Sequence, residues 1–250
     1  MTIVASEVKP LEVRPKLGEE ATKLIRTALL RGRYAPGERL RVDELARQLG
    51  SSTMPVREAL LALSIEGLVD VLPRRGFRAR PVRRLDFEDV FRVHAFVAGE
   101  LASRAADDIT LATLDLMTST QQEIDRLASR PTRTRHLAIE LEERNFLFHR
   151  LLNKSSDSGR LQWFLRATTR FIPRQYYETI PGWIERTVRD HPPIIAALRE
   201  GDGIRARELM VEHVTRAGED VIAYWDRIEY PELPPLHSRS RRSEASKRQG

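Results

Sequence analysis

Two short segments with helical apolar spacing are separated only by Gly50-Ser51, and directly after them the chain alternates apolar and polar residues on either side of a basic turn. In the first, Asp43 reads as a cap and Leu45, Ala46 and Leu49 as the buried stripe, with Gly50 as the stop. In the second, Ser52 reads as the cap, Pro55 is tolerated in the first turn, and Ala59, Leu60, Leu63 and Leu68 supply the stripe. Two short helices joined by a tight glycine turn are a helix-turn-helix. Leu68 to Leu72 alternates as a strand, Pro73 to Gly76 turns, and Phe77 to Ala79 returns, which predicts a hairpin wing. A helix over Glu19–Arg31, striped by Ala21, Leu24, Ile25, Ala28 and Leu29, precedes the pair. Residues 19–80 are thus expected to form a winged helix-turn-helix.

Charge divides along the chain in a way that fits this reading. Residues 1–84 carry a net +7, residues 85–230 a net −4, and residues 231–250 a net +3. A basic N-terminal unit joined to a mildly acidic larger one suits a polyanion binder coupled to a different partner domain. With 250 residues and 41% hydrophobic content, two domains are expected. The chain has no cysteine, so disulfides and thiolate metal sites are excluded and any metal must take His and oxygen ligands. Residues 1–18 form a charged arm with two prolines and no continuous apolar run, so neither a signal peptide nor a membrane span is expected, and a cytoplasmic location fits.

Residues 81–85, with Pro81, Arg83 and Arg84, read as a linker, after which Asp86 is placed to cap the first helix of a second domain. From 86 to 230 the pattern is helical, with helices expected near 86–107, 110–129, 133–153, 159–178, 190–200 and 203–228. Residues 231–250, rich in Pro, Ser, Arg and Lys, are expected to be a disordered basic tail.

A recognition helix starting at Ser52 offers its N-terminal residues and positive dipole end to a DNA groove. Arg57 can bond guanine or phosphate bidentately, Ser52 and Thr53 can donate to phosphate, and Met54 can make only apolar contact. Arg74 and Arg75 at the wing turn, with Gly76 allowing close approach, fit backbone or minor-groove contact, and Arg41 adds charge beside the helix pair. The stretches Ala35-Pro36-Gly37-Glu38-Arg39-Leu40, Asp43-Glu44-Leu45-Ala46, Pro55-Val56-Arg57-Glu58-Ala59-Leu60 and Glu66-Gly67-Leu68-Val69 occur in one order over residues 20–80. In this they resemble the GntR family of winged-helix regulators. Where that family commonly reads Ser-Arg-Thr before the Pro-Val-Arg-Glu segment, this chain has Ser52-Thr53-Met54, so a base-reading arginine is missing, and either the operator differs from that of other members or binding leans more on Arg57, Arg41 and the wing.

In the second region Asn145 and His149 stand four apart on one expected helix and share a face, with His191 and His213 on or beside later helices. Three imidazoles and one oxygen suit zinc, nickel or another borderline divalent metal, although isolated histidines are commonly just satisfied side chains. Asn145-Phe146-Leu147-Phe148-His149, Asp190-His191 with Ala196-Ala197-Leu198, Gly201-Asp202 and Glu212-His213-Val214 are similar to the FCD sensor domain of the FadR-type branch of GntR regulators. The resemblance implies an all-helical bundle of six to seven helices behind the winged helix, a mainly α chain, dimerisation through the sensor helices, and metal ligation by Asn145, His149, His191 and His213. It also places His94 and Ala98 where the family's first sensor helix carries an Arg and a Glu. His94 offers one hydrogen bond and no fixed charge, so either the effector is less strongly anionic or another arginine, such as Arg166 or Arg170, supplies the charge.

These readings imply a homodimeric, ligand-responsive repressor of palindromic operator DNA, sensing an organic or sugar acid, with no membrane association and no enzymatic activity. A metal-free effector pocket is the first alternative. A metal-dependent hydrolase is another, since three histidines with an open position can activate water, but no nucleophile or base motif accompanies them. A protein-interaction module without DNA binding would have lost the basic face that Arg57, Arg74 and Arg75 still supply.

Overall fold

The structure, a computed structural model, describes residues 16–132, 134–171 and 180–227. Most of the N-terminal arm, the C-terminal end of the helix expected over 159–178 and the basic tail lie outside the described residues. The chain divides into two compact units after Pro81.

The first unit holds α1 (Lys16–Leu30), β1 (Arg39–Leu40), α2 (Val42–Gln48), α3 (Thr53–Ile65), β2 (Val69–Leu72) and β3 (Gly76–Ala79). Ala21, Ile25 and Leu29 of α1 are buried, as are Val56, Ala59, Leu60 and Leu63 of α3, so most of the stripes legible in the sequence form this core, but Leu24, read as part of the α1 stripe, is 52% exposed. Arg26 of α1 clamps Glu66, at the end of α3, with two hydrogen bonds of 2.7 Å. Between α2 and α3, Gly50 takes a positive φ of 60° while the amide of Ser51 bonds the Ala46 carbonyl, which turns the chain tightly enough to launch the second helix. Asp43 is not the cap of α2: the cap position is Arg41, and Asp43 lies in the first turn, where its charge opposes the helix dipole instead. The wing pairs Val71 with Phe77 and Leu72 with Gly76, and β1, too short to leave a periodic signal, pairs with the other edge of β3 to give the order β1-β3-β2.

The second unit contains α4 (Arg84–Asp108), α5 (Leu111–Ala128), α6 (Arg135–Ser155), α7 (Gly159–Phe171), α8 (Trp183–Arg199) and α9 (Gly203–Arg227). The protein is mainly α, as expected, and this unit is all-helical among the described residues. Thr110 and Thr134 cap α5 and α6 by accepting from the amides of Thr113 and Leu137. Asp86 again sits inside its helix: the cap position of α4 is Arg83, whose amide donates to the Asp86 carboxylate at 2.7 Å as half of a capping box. The long helices α4 and α9 run antiparallel in intimate contact. A Cβ on Gly99 would lie 2.5 Å from Val211, and one on Gly218 would lie 2.6 Å from the Phe91 ring, so glycine is what lets the two backbones approach.

One expectation fails in this unit. By local rules Pro192-Pro193 fits the first turn of a helix and forbids a longer one running through it, which sets the helix near 190–200 with His191 at its start, yet α8 runs from Trp183 through both prolines to Arg199. Trp183, Thr187, His191, Ile194, Ile195 and Leu198 are all buried along α8, in one helical stripe that continues past the prolines. Burial of that stripe offsets the amides the prolines lack. No described helix is long and apolar enough to cross a membrane.

Candidate nucleic-acid interface and metal centre

In the first unit the start of α2, the start of α3 and the wing surround a surface concavity of about 620 Å³. Arg41, Thr53, Arg57, Arg74, Arg75 and Gly76 line it, so six of the eight residues singled out for DNA contact converge. Ser52 and Met54 stand exposed at the start of α3 beside it, and the Ser52 side chain makes no capping bond, which leaves its hydroxyl available. Sequence reasoning missed Arg39 and Arg47, which raise the lining to six guanidinium groups against the carboxylates of Asp43 and Glu44. Arg47 was accessible to a helical-wheel argument, one turn after Asp43. Arg39 was not, because only the β1–β3 pairing and its 2.6 Å bond to the Arg75 carbonyl carry it to the wing. At the wing tip Arg74 has φ 58° and Gly76 φ 87°, a turn that presents two successive guanidinium groups to solvent.

In the second unit Asn145 and His149 project from α6, His191 from α8 and His213 from α9. One ligand-capable nitrogen from each histidine lies within 4.8 Å of those of the other two. His191 is 0% and His213 3% exposed. Desolvation holds His191 and His149 well below the ordinary imidazole pKa, with the charge of His213 adding to the effect, so both rings are neutral and can offer lone pairs. Two polar atoms here have no hydrogen-bond partner although buried: Asn145 Oδ1 and His191 Nε2. Such orphans each cost about 1–3 kcal/mol unless something satisfies them, and three imidazole nitrogens with an amide oxygen are a donor set that fits a divalent cation.

Neighbouring residues orient the rings. The Asp190 carboxylate lies 3.2 Å from His213 Nδ1 and 2.8 Å from Arg189 Nε. Partial burial would raise this carboxyl, but the hydrogen bonds and charges of His213 and Arg189 outweigh it and bring the pKa down to about 2. His191 stacks on Phe148, with ring centroids 3.7 Å apart and planes 6° from parallel.

His94, on α4, is not one of the three clustered histidines. Its Nδ1 lies 2.8 Å from Thr168 Oγ1 of α7, and desolvation followed by the charge of His213 lowers its pKa to about 4. Arg166 and Arg170, two positions either side of Thr168 on α7, lie on the face of the helix away from it and are exposed, so the structure does not bring them to His94.

Comparison with known proteins agrees with this layout. Residues 17–78 match the profile of the bacterial regulatory proteins of the gntR family, and residues 89–216 match the FCD domain. A transcriptional regulator from an unstable DNA locus of Streptomyces ambofaciens is 30% identical over 207 residues, which span 79% of this chain and 81% of that one. The transcriptional repressor RspR of Escherichia coli is 24% identical over 209 residues, 82% of this chain and 89% of its own. Among solved structures, E. coli McbR/YncC shares the fold with a TM-score of 0.62 at 22% identity, covering 84% of this chain and 98% of that one.

Proposed function

Since the chain belongs to the GntR family of bacterial transcriptional regulators and carries an FCD ligand-binding domain behind its DNA-binding domain, we propose that it is a cytoplasmic, homodimeric repressor whose sensor unit holds a divalent metal and a small carboxylate-bearing metabolite. The family consists of regulators, which removes the hydrolase reading of the histidine cluster.

The observation that carries the sensor half of the proposal is the pair of orphaned atoms, Asn145 Oδ1 and His191 Nε2, beside three clustered histidines. Asn145, His149, His191 and His213 would hold the ion, zinc or nickel by donor type. When bound, the ion would supply positive charge that attracts a carboxylate. His94 adds one neutral hydrogen-bonding group nearby. His213 lies on α9, which packs along α4, and α4 is the helix that follows directly on the DNA-binding unit in sequence. Ligand that alters α8–α9 packing therefore biases the element leading to the winged helix, which is the coupling a regulator requires.

In the DNA-binding half, Arg57 and Thr53 read the major groove while Arg74, Arg75 and Gly76 approach the backbone or minor groove, with Ser52, Met54 and Arg41 at the edge of the contact. One winged helix covers few base pairs, so a palindromic operator and two copies of the chain are expected. Exposed Phe96 of α4 and Trp163 and Phe164 of α7 supply apolar area for that self-association. The repressor assignment rests on the likeness to RspR.

Selection of bound duplexes from a randomised pool, followed by gel-shift titration with and without chelator and small acids, tests the whole reading. A two-fold symmetric site whose affinity changes with metal-dependent acid binding is the expected result. Recovery of no preferred sequence would remove the DNA half, and acid binding that ignores chelator would replace the metal site with a metal-free pocket.

A further inference from the structure

The ligand capacity of an imidazole depends on which nitrogen carries the proton, and for His191 that choice is made by α5, a helix that contributes none of the four proposed ligands. His191 Nδ1 lies 2.8 Å from Oε1 of Gln121, which is 4% exposed. The amide nitrogen of the same side chain donates to Asp125 Oδ1 at 2.7 Å. A carboxylate offers only acceptors, so Asp125 selects the amide orientation with nitrogen toward itself and oxygen toward His191. Facing a carbonyl oxygen, Nδ1 must carry the hydrogen, and Nε2, buried and without a hydrogen-bond partner, is left with its lone pair. Phe148, stacked on the ring, holds its plane, and Gln121 fixes its rotation within that plane.

We infer that Gln121, oriented by Asp125, is a positioning residue that locks His191 in the tautomer able to bind metal through Nε2. This rests on the metal-site reading above. Were the amide reversed, its NH2 would face Nδ1, the proton would move to Nε2, and His191 would be lost as a ligand. His213 is served differently, by the Asp190 carboxylate, so the two deeply buried ligands are oriented by a neutral amide in one case and a charged group in the other. A neutral partner leaves the proton on Nδ1 without pulling on it, and the lock depends on geometry rather than charge.

The test uses full-length protein loaded with cobalt(II), whose visible spectrum reports the ligand set, together with zinc affinity by competition against a chromophoric chelator. Gln121→Leu keeps similar volume but removes the acceptor, and zinc affinity is expected to fall about 10- to 100-fold with an altered cobalt spectrum. Gln121→Glu combined with Asp125→Asn exchanges the carboxylate and the amide, so that an acceptor again faces Nδ1 with a donor behind it; this double variant is expected to recover both, which a merely space-filling role would not require. Asp125→Asn, on the exposed side of the same chain of bonds, permits either amide orientation and is expected to give an intermediate loss even if Gln121→Leu folds poorly. Wild-type affinity and spectrum in both Gln121→Leu and Asp125→Asn would overturn the inference while leaving the metal site intact. Failure of the wild type to bind either ion, or binding that survives His149→Ala, would instead overturn the metal-site reading and the inference with it.

Discussion

The two candidate sites of this protein are built on opposite physical terms. The concavity of the first unit gathers six arginines that stay exposed and charged, on short elements and a strained wing tip. The histidine cluster of the second unit keeps His149 and His191 neutral under desolvation, and a neighbour orients the His191 ring and another the His213 ring. A polyanion needs long-range charge that reaches through water and adapts to its surface, and losing any one contact costs little of the fold. A cation site needs lone pairs aimed at one point, which only a packed interior fixes. Removing an arginine charge in the first unit should therefore change partner affinity with little effect on stability, the strained Arg74 aside, whereas in the second the two should move together.

The largest effect is expected at Arg57. Removing a bidentate base contact costs about 1–3 kcal/mol, and a dimer repeats it in both half-sites, so Arg57→Ala should abolish specific retention in a gel-shift titration while the melting temperature holds. A fall in melting temperature comparable to the loss of binding would break the comparison. Next, chelator treatment should lower the melting temperature, since a ligand present at 100 times its Kd stabilises by about 2.7 kcal/mol. His191→Ala should bind no stoichiometric metal and show no such shift. An unchanged chelator response in that variant would show that the stabilisation comes from elsewhere.

Gly218→Ala sharpens the contrast by disturbing the sensor unit away from the ligands. Its methyl would meet the Phe91 ring at 2.6 Å, and the expected loss is about 1–3 kcal/mol in urea unfolding. Gradual change is expected with pH in metal-free protein. Desolvation, with the charge of His213 behind it, keeps His94, His149 and His191 neutral when folded, so unfolding takes up protons below the ordinary imidazole value. Stability is then full above about pH 6.5 and declines as the pH falls from there toward the His94 value of about 4. Urea midpoints that stay flat between pH 7.5 and pH 5 would contradict this. The smallest effect belongs to Arg74, whose φ of 58° strains a non-glycine residue. Arg74→Gly should gain about 1 kcal/mol of stability while weakening DNA binding and flattening its salt dependence.

The elements were legible where the signal was local. Apolar spacing gave α1, α2 and α3, alternation gave the wing, and the separation of Asn145 from His149 gave a shared helix face before any fold was known. Local rules failed where packing overruled them. The Pro192-Pro193 pair reads as a boundary, but the buried stripe from Trp183 to Leu198 carries α8 through it. Asp43 and Asp86 read as caps because acidic residues favour helix starts, and both instead lie within the first turn. Arg39 and Gln121 carried no signal, since their roles come from partners 36 and 70 positions away.

By itself, then, the sequence determined a basic winged helix ahead of a helical unit containing candidate donors for a metal, because periodicity, charge and residue chemistry are properties of the chain. Whether those donors meet, and which nitrogen of His191 faces the meeting point, was decided only by the tertiary structure. Helices α6, α8 and α9 bring their histidines together from distant positions, and burial strips away the water that would otherwise let each ring choose its own proton.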